Sequence, residues 1–292
     1  MSETAEVLQR KIWSARELGS VVRMMKVLAA VSIIQYERAI RSLSDYYHAV
    51  ELGLSLCLQR IDSTHPKAVA SSAKVVTTAI AFGSDQGLVG QFNDTLADFV
   101  ITKLNELPGE KTIWAVGERI YARLEDAGAQ QNRFYDVPNS VTAITPLVSE
   151  ILIDHEDRPE KGETYLFHNR PVSGAGYEPV EQRLLPLDTE WQRNFRRIKW
   201  PTKTLPEVLG SRESTLGALI REYLFVSLFK ACAESLASEN ASRLAAMQRA
   251  QRNIDELLDE LRTAYNQERQ TSIDEELFDV VAGFEALANK HR

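Results

Sequence analysis

Cysteine is nearly absent: Cys57 and Cys232 are the only two in 292 residues, too few for a disulfide framework or a thiolate metal centre. Both sit in apolar surroundings, so two buried free thiols and a reducing compartment are expected. Histidine is also sparse. His48, His65, His155, His168 and His291 lie in separate stretches without a His-x-x-x-His pairing, so no metal ligand set is expected. No run approaches the roughly 18 uninterrupted apolar residues of a membrane span. The N-terminal stretch carries Glu3 and Glu6 in an amphipathic pattern, unlike an acid-poor leader. Any membrane association is therefore expected only through partners. Basic residues number 34 against 41 acidic, and the net charge of -7 argues against nucleic acid as the main partner. The clearest basic patch is Arg193, Arg196, Arg197, Lys199 and Lys203, interleaved with Trp191, Phe195 and Trp200. It reads as a solvated or partner-facing turn.

Helix breakers are missing from the far end of the chain. From Glu213 to Lys290 there is no proline, and Gly217 and Gly283 are the only glycines. If helical throughout, roughly 75 residues at about 1.5 Å rise make a rod on the order of 110 Å long. A rod of that length needs a partner. Met247, Ile254 and Leu261 recur seven apart, with Ala250, Leu257 or Leu258, and Tyr265 between them; Leu277, Val280 or Val281, Phe284 and Leu287 are expected to extend the seam. The mate lies at the other end of the chain. Ile33, Tyr36, Ile40, Leu43, Tyr47, Val50, Leu54, Cys57 and Ile61 follow alternating steps of three and four, the 3.5-residue period of a left-handed coiled coil. An antiparallel coiled coil of residues 1–62 with 207–290 is expected, carrying a head over residues 73–205. Met24, Met25, Leu28, Ala29 and Ala30 read as its ordinary core, small and adaptable.

Between the helices the period changes. After a loop over Asp62 to Ser72, Val75 to Phe82 is a β-prone run, followed by a helical stretch from Asp94 to Leu104. A strand at Thr112–Val116, a helix at Glu118–Ala127 stopped by Gly128, and a strand at Phe134–Val137 come next. A helix is expected to open at Thr145-Pro146 and run to Asp154, with proline at its first position. Alternating strands and helices imply a mostly parallel sheet with flanking helices, an α/β Rossmann-like head. Thr164–Arg170 and Val180–Leu187 read as an antiparallel addition at its edge.

The turn after the first strand, Gly83-Ser84-Asp85-Gln86-Gly87-Leu88-Val89-Gly90-Gln91-Phe92-Asn93, has the look of a phosphate loop. Its spacing does not spell G-x-G-x-x-G, no Gly-Lys-Ser/Thr follows, and Asp85 would repel phosphate. Paired carboxylates such as Asp259-Glu260 and Glu275-Glu276 fit a solvated helix face, and no serine sits in a G-x-S-x-G elbow. No catalytic residue and no cofactor are expected. The alternatives are a nucleotide-binding Rossmann-like enzyme with a coiled-coil arm, or a static coiled-coil scaffold.

The turn resembles the Ser-Asp-x-Gly-Leu-Cys-Gly-x-Phe/Tyr-Asn element of the gamma subunit of F-type rotary ATP synthases. Glu234-Ser235-Leu236-Ala237-Ser238-Glu239-Asn240-Ala241-Ser242-Arg243-Leu244-Ala245-Ala246-Met247 is similar to that family's Glu-Ser-x-x-Ser-Glu-x-x-x-Arg-x-x-Ala-Met. Tyr265-Asn266, Arg269-Gln270, Ile273, Glu276-Leu277 and Gly283 extend the likeness at one end, and Met25 with Ala29-Ala30 at the other. The resemblance implies a central rotor shaft with no active site of its own. Its partners would be the alpha and beta subunits of the catalytic ring, the epsilon subunit and the membrane c-ring, and it would lie peripherally on the cytoplasmic side of a bacterial inner membrane. It further implies that Arg243, Arg269, Gln270 and Met25 contact the ring, with Arg269 and Gln270 on a beta-subunit loop. Asp85, Gly87, Gly90 and Asn93 would form the foot near epsilon and the c-ring. Val89 stands where the family usually has cysteine, Gln91 where it has a small residue, Ser32 and Ile33 in a commonly basic stretch, and Asp274 at a common threonine position. Such divergence fits a paralogous rotary ATPase specialised for hydrolysis-driven ion pumping.

Overall fold

The computed structural model describes residues 3–59, 76–158, 162–172, 176–204, 206–207 and 211–290; the side chains of 3, 189–190, 212 and 283–290 are outside that description. The expected loop at 62–72, Val75 and Ile61 therefore lie outside the described residues. Two helices dominate: α1 over Glu3–Gln59 and a far longer terminal helix, here α6, over Arg212–Lys290. Between them run β1 (Val76–Phe82), α2 (Phe92–Glu106), β2 (Glu110–Val116), α3 (Glu118–Asp126), β3 (Gln131–Tyr135), α4 (Val141–Glu156), β4 (Glu163–Val172), β5 (Gly176–Leu185) and α5 (Thr189–Arg196).

The strands form one five-stranded sheet in the order β3-β2-β1-β4-β5. Four are parallel, and β5 pairs antiparallel with β4 at the edge, as the sequence predicts. Side-chain alternation sends Ile80, Phe82, Trp114, Val116 and Leu166 to one face and Ala79, Ala81, Ile113, Ala115 and Phe167 to the other. The first face packs on α4 and on parts of α1 and α6; the second is covered by α2 and α3. β1, buried at every position, is central.

Three local expectations shift. Helix α4 begins at Val141, not at Thr145-Pro146, and Pro146 lies inside it. The reason is packing: Ile144, Leu147, Val148 and Ile151 occupy one face at helical spacing, and burying Ile144 requires helix before the proline. The third strand is centred earlier than Phe134–Val137, because β2 pairs with residues Gln131 to Tyr135 and the amide of Val137 is taken by the Asp85 carboxylate. The basic turn contains the short helix α5, capped by Asp188, whose carboxylate accepts from the amide of Trp191. Trp191 packs tilted against Phe195 and both meet Tyr223 edge-to-face, so these two aromatics of the patch serve as anchors.

Packing divides the chain into two compact units, Met1–Leu28 with Leu244–Arg292 and Ala29–Arg243. In the larger unit the predicted seam of α1 is found: Tyr36, Val50, Leu54 and Cys57 are buried while Ile34 is exposed. Tyr36 borders Glu239, Tyr46 donates to Glu222 at 2.7 Å, and Gly53 abuts Leu219, so the two helices run antiparallel. The smaller unit continues the same period. Ala5, Ile12, Ala15 and Gly19 are buried, and Ile12 and Ala15 form a core with Ile254, Leu258, Leu261 and Tyr265.

The expected extension of the seam to Leu277, Val280 and Val281 does not hold, because these side chains are exposed. Gly19 meets Ile254 and Ile12 meets the turn around Leu258, so the antiparallel register brings Ala5 opposite residues just past Tyr265. α1 starts at Glu3, and no described segment remains to cover α6 further along. Phe284 and Leu287 lie outside the described side chains.

Both cysteines are buried. Burial, with the Glu239 charge next, pushes the Cys232 thiol well above its ordinary value, so it stays protonated at pH 8–9 where an exposed thiol ionises. Native chain is expected to resist iodoacetamide across that range and to label at both positions in denaturant; rapid native labelling would contradict this packing. Leu54→Ala should lower stability by about 2–5 kcal/mol, whereas Ile34→Ala stays within about 0.5, as read by urea unfolding.

Candidate functional site: the joint between the terminal helix and the sheet

In an open α/β sheet, ligands bind beyond the carboxyl ends of the strands where the chain order reverses. Here that point lies between β1 and β4, since β2 and β3 extend from one side of β1 and β4 joins on the other. The crevice is filled by α6. Ser235 Oγ donates to the carbonyl of Phe82, the last residue of β1, at 2.7 Å. Ser238 Oγ donates to the carbonyl of Asn169, immediately beyond the β1–β4 ladder, at 2.9 Å. One turn further on, Ser242 Oγ donates to the carbonyl of Val89 in the glycine-containing turn. Spacings of three and four place the three hydroxyls on one helix face. Beside them Glu234 Oε2 lies 2.8 Å from His168 Nε2.

The turn is braced from within. Asn93 accepts from the amide of Ser84 at 3.1 Å and donates to Ser84 Oγ at 2.8 Å. Asp85 accepts from the amides of Glu118 and Val137, both at 3.0 Å, tying the ends of β1, β2 and β3 together and capping α3. Asn169 donates to the carbonyl of Phe92, the first residue of α2, at 3.0 Å. Gly83 is required by close approach: a Cβ there would stand 2.3 Å from Cβ of Ile120. Gly90 has φ 59, in the left-handed region. Gly87 has no such need, and Leu88 beside it is exposed with φ 62. Asp85 and Asn93 therefore brace the turn, and the carbonyls of Phe82 and Val89 are engaged by α6.

Of the residues implied on the shaft, Arg243 pairs with Glu239, Nη2 to Oε1 2.6 Å, and both are largely buried. Burial raises the Glu239 carboxyl above its ordinary range, opposed by Arg243. Burial, with Glu239 next, lifts the Tyr36 hydroxyl to about 12. Of the core expected at Met24, Met25, Leu28, Ala29 and Ala30, only Ala29 is buried; Met25 and Ala30 are partly covered, and Met24 and Leu28 are 67% and 62% exposed, on the side of the helix away from the seam. Arg269 and Gln270 are exposed side by side on α6. The serine row escapes sequence reasoning because an isolated serine has no signature; its spacing of three and four inside the Glu234–Met247 stretch is the signal that could have found it.

A helix-paired α/β head whose sheet is locked to a continuous terminal helix is the class of the central stalks of rotary ATP synthases. The structure is similar to one chain in each of two solved ATP synthase structures: Euglena gracilis mitochondrial ATP synthase, OSCP/F1/c-ring, in rotational state 3, with TM-score 0.66, 16% identity and coverage of 99% of this chain and 96% of that one, and the central stalk and c-ring of the Tetrahymena thermophila mitochondrial ATP synthase, with TM-score 0.53, 20% identity and coverage of 79% and 99%. The ATP synthase family profile matches residues 4–287. The ATP synthase gamma chain of Syntrophus aciditrophicus is 30% identical, covering 96% of this chain and 97% of the relative, and that of Glaesserella parasuis is 29% identical over 97% and 99%. The chain belongs to the ATP synthase gamma chain family and is a rotor-stalk subunit.

Asp85→Ala should cost about 1–2 kcal/mol, the loss of the acceptor for the partly buried amide of Val137 and the exposed one of Glu118, and Asp85→Asn less. Equal stability of the alanine variant and the native chain in urea would remove Asp85 from the brace.

Proposed function

We propose that the chain turns as the central shaft of an ion-translocating ATPase, inside a ring of alternating alpha and beta subunits, with its foot toward epsilon and the c-ring. The observation that carries this reading is apolar surface without cover. In the smaller unit Trp13, Leu18, Val21, Met24 and Val27 of α1 are exposed on the flank away from its seam, and α6 adds Leu277, Phe278, Val280 and Val281. A lone soluble chain rarely presents so much large apolar side chain in one region. An apolar surface also suits a turning element. It carries few fixed hydrogen bonds that must break as the shaft moves, and dispersion contacts re-form at each angle.

The chemistry belongs to the ring subunits in this reading. Shaft asymmetry makes their sites unequal, and turning interconverts them, a coupling between distant sites through a moving element. Arg269 and Gln270 are proposed as polar contacts to a beta-subunit loop, Met25 and Arg243 as further shaft contacts, and Asp85, Gly87, Gly90 and Asn93 as shaping the foot. Asp274 sits one turn past Gln270 and would alter the charge met by that loop. No described helix is long and apolar enough to cross a membrane, so attachment to the membrane side of the complex is proposed through partners, on the cytoplasmic face.

A crosslink from α6 near Arg269 to one beta subunit in the assembled complex should stop ATP turnover, and reduction of the crosslink should restore it. Turnover that continues while tethered would favour a static scaffold. Arg269→Ala combined with Gln270→Ala is expected to lower ATPase activity of the complex several-fold while subunit stoichiometry is retained; unchanged turnover would remove both from the contact set.

A further inference from the structure

From Ala231 to Ser242 every residue of α6 is buried, none more than 9% exposed, so about three turns of the helix are enclosed on all sides. A helix enclosed in this way is expected to be apolar all round. This one is Ala-Cys-Ala-Glu-Ser-Leu-Ala-Ser-Glu-Asn-Ala-Ser, mostly small and polar. Leu236 is its only large aliphatic side chain, so interlocking of bulky groups does little to hold the segment in place.

We propose that Ser235, Ser238 and Ser242, with Glu234 on His168, form the torque-bearing joint through which α6 and the sheet turn as one body. The proposal rests on the rotor reading above. Apolar contact is non-directional: it opposes separation of two surfaces but resists sliding weakly. A hydrogen bond weakens steeply when its angle is lost. The three serine acceptors are main-chain carbonyls of Phe82, Val89 and Asn169. Phe82 ends the central strand and Asn169 directly follows the β1–β4 ladder, so these carbonyls cannot swing to follow a rotating helix. The bonds span about two turns and reach two strands and the braced turn between Ser84 and Asn93. A rotation of α6 about its axis, or a slide along it, therefore strains all of them together. Small side chains on the same face let the helix backbone approach closely enough for a serine to reach.

The test uses the assembled complex in sealed vesicles, with ATP hydrolysis and ATP-driven ion uptake measured on the same preparation. The triple change Ser235→Ala, Ser238→Ala and Ser242→Ala is expected to lower ion uptake per ATP hydrolysed several-fold, because a slipping joint lets the ring turn the shaft without carrying the foot. Ser238→Ala alone, if the triple variant fails to assemble, should lower the ratio in the same direction, and Glu234→Gln, which keeps a partner for His168, should preserve it. An unchanged ratio in Ser238→Ala, or a fall in uptake and hydrolysis together in proportion to lost complex, would overturn the joint. Unmodified complex that hydrolyses ATP without any ion uptake would instead count against the rotor reading itself.

Discussion

The constraint on which this fold depends is the enclosure of the Ala231–Ser242 segment of α6. A buried hydroxyl without a partner costs about 1–3 kcal/mol, and a buried strand-end carbonyl without one costs similarly. Helix and sheet each supply what the other lacks. The serines satisfy carbonyls that stand past the parallel ladder, and the carbonyls make polar residues tolerable in the middle of the protein. The Gly83–Asn93 turn and the Glu234–Met247 stretch are far apart in sequence, yet they are two halves of this single contact. The same contact occupies the crevice where sheets of this kind ordinarily hold a ligand.

Stiffness and slipperiness are separated along the chain. In the Ala29–Arg243 unit, α1 and α6 are held by hydrogen bonds, the Tyr47, Trp191, Phe195 and Tyr223 ring cluster, and a large apolar core. In the other unit the two helices share a narrow seam of small and medium side chains, and their outer flanks carry Trp13, Leu18, Met24 and Phe278 uncovered.

Much of this was legible in residues. The three-and-four spacing from Ile33 to Cys57 marks the buried stripe because a 3.5-residue period can only serve one narrow seam. The change to a β-prone run at Val76 marks the head, since β-branched side chains lose rotamer freedom in a helix and fit a pleated surface. Where the pattern misled, a tertiary partner decided. Pro146 looks like a helix start, but burial of Ile144 pulls the helix past it. Leu277 and Val280 keep the spacing of a seam, and spacing carries no information about where the opposing helix ends. Ser235, Ser238 and Ser242 are small polar residues in a helix, for which sequence alone offers solvent as readily as a strand-end carbonyl.

The sequence by itself determined the two long helices, the mostly parallel sheet and the family, because periodicity, breakers and turn glycines act locally and hold wherever the segment is placed. Only the tertiary structure decided which apolar stripe is covered, which is left bare, and that the polar stretch Ala231–Ser242 of α6 is buried at every residue. Burial and hydrogen-bond satisfaction depend on residues 69 to 153 positions away, and no local pattern records who stands opposite at that distance.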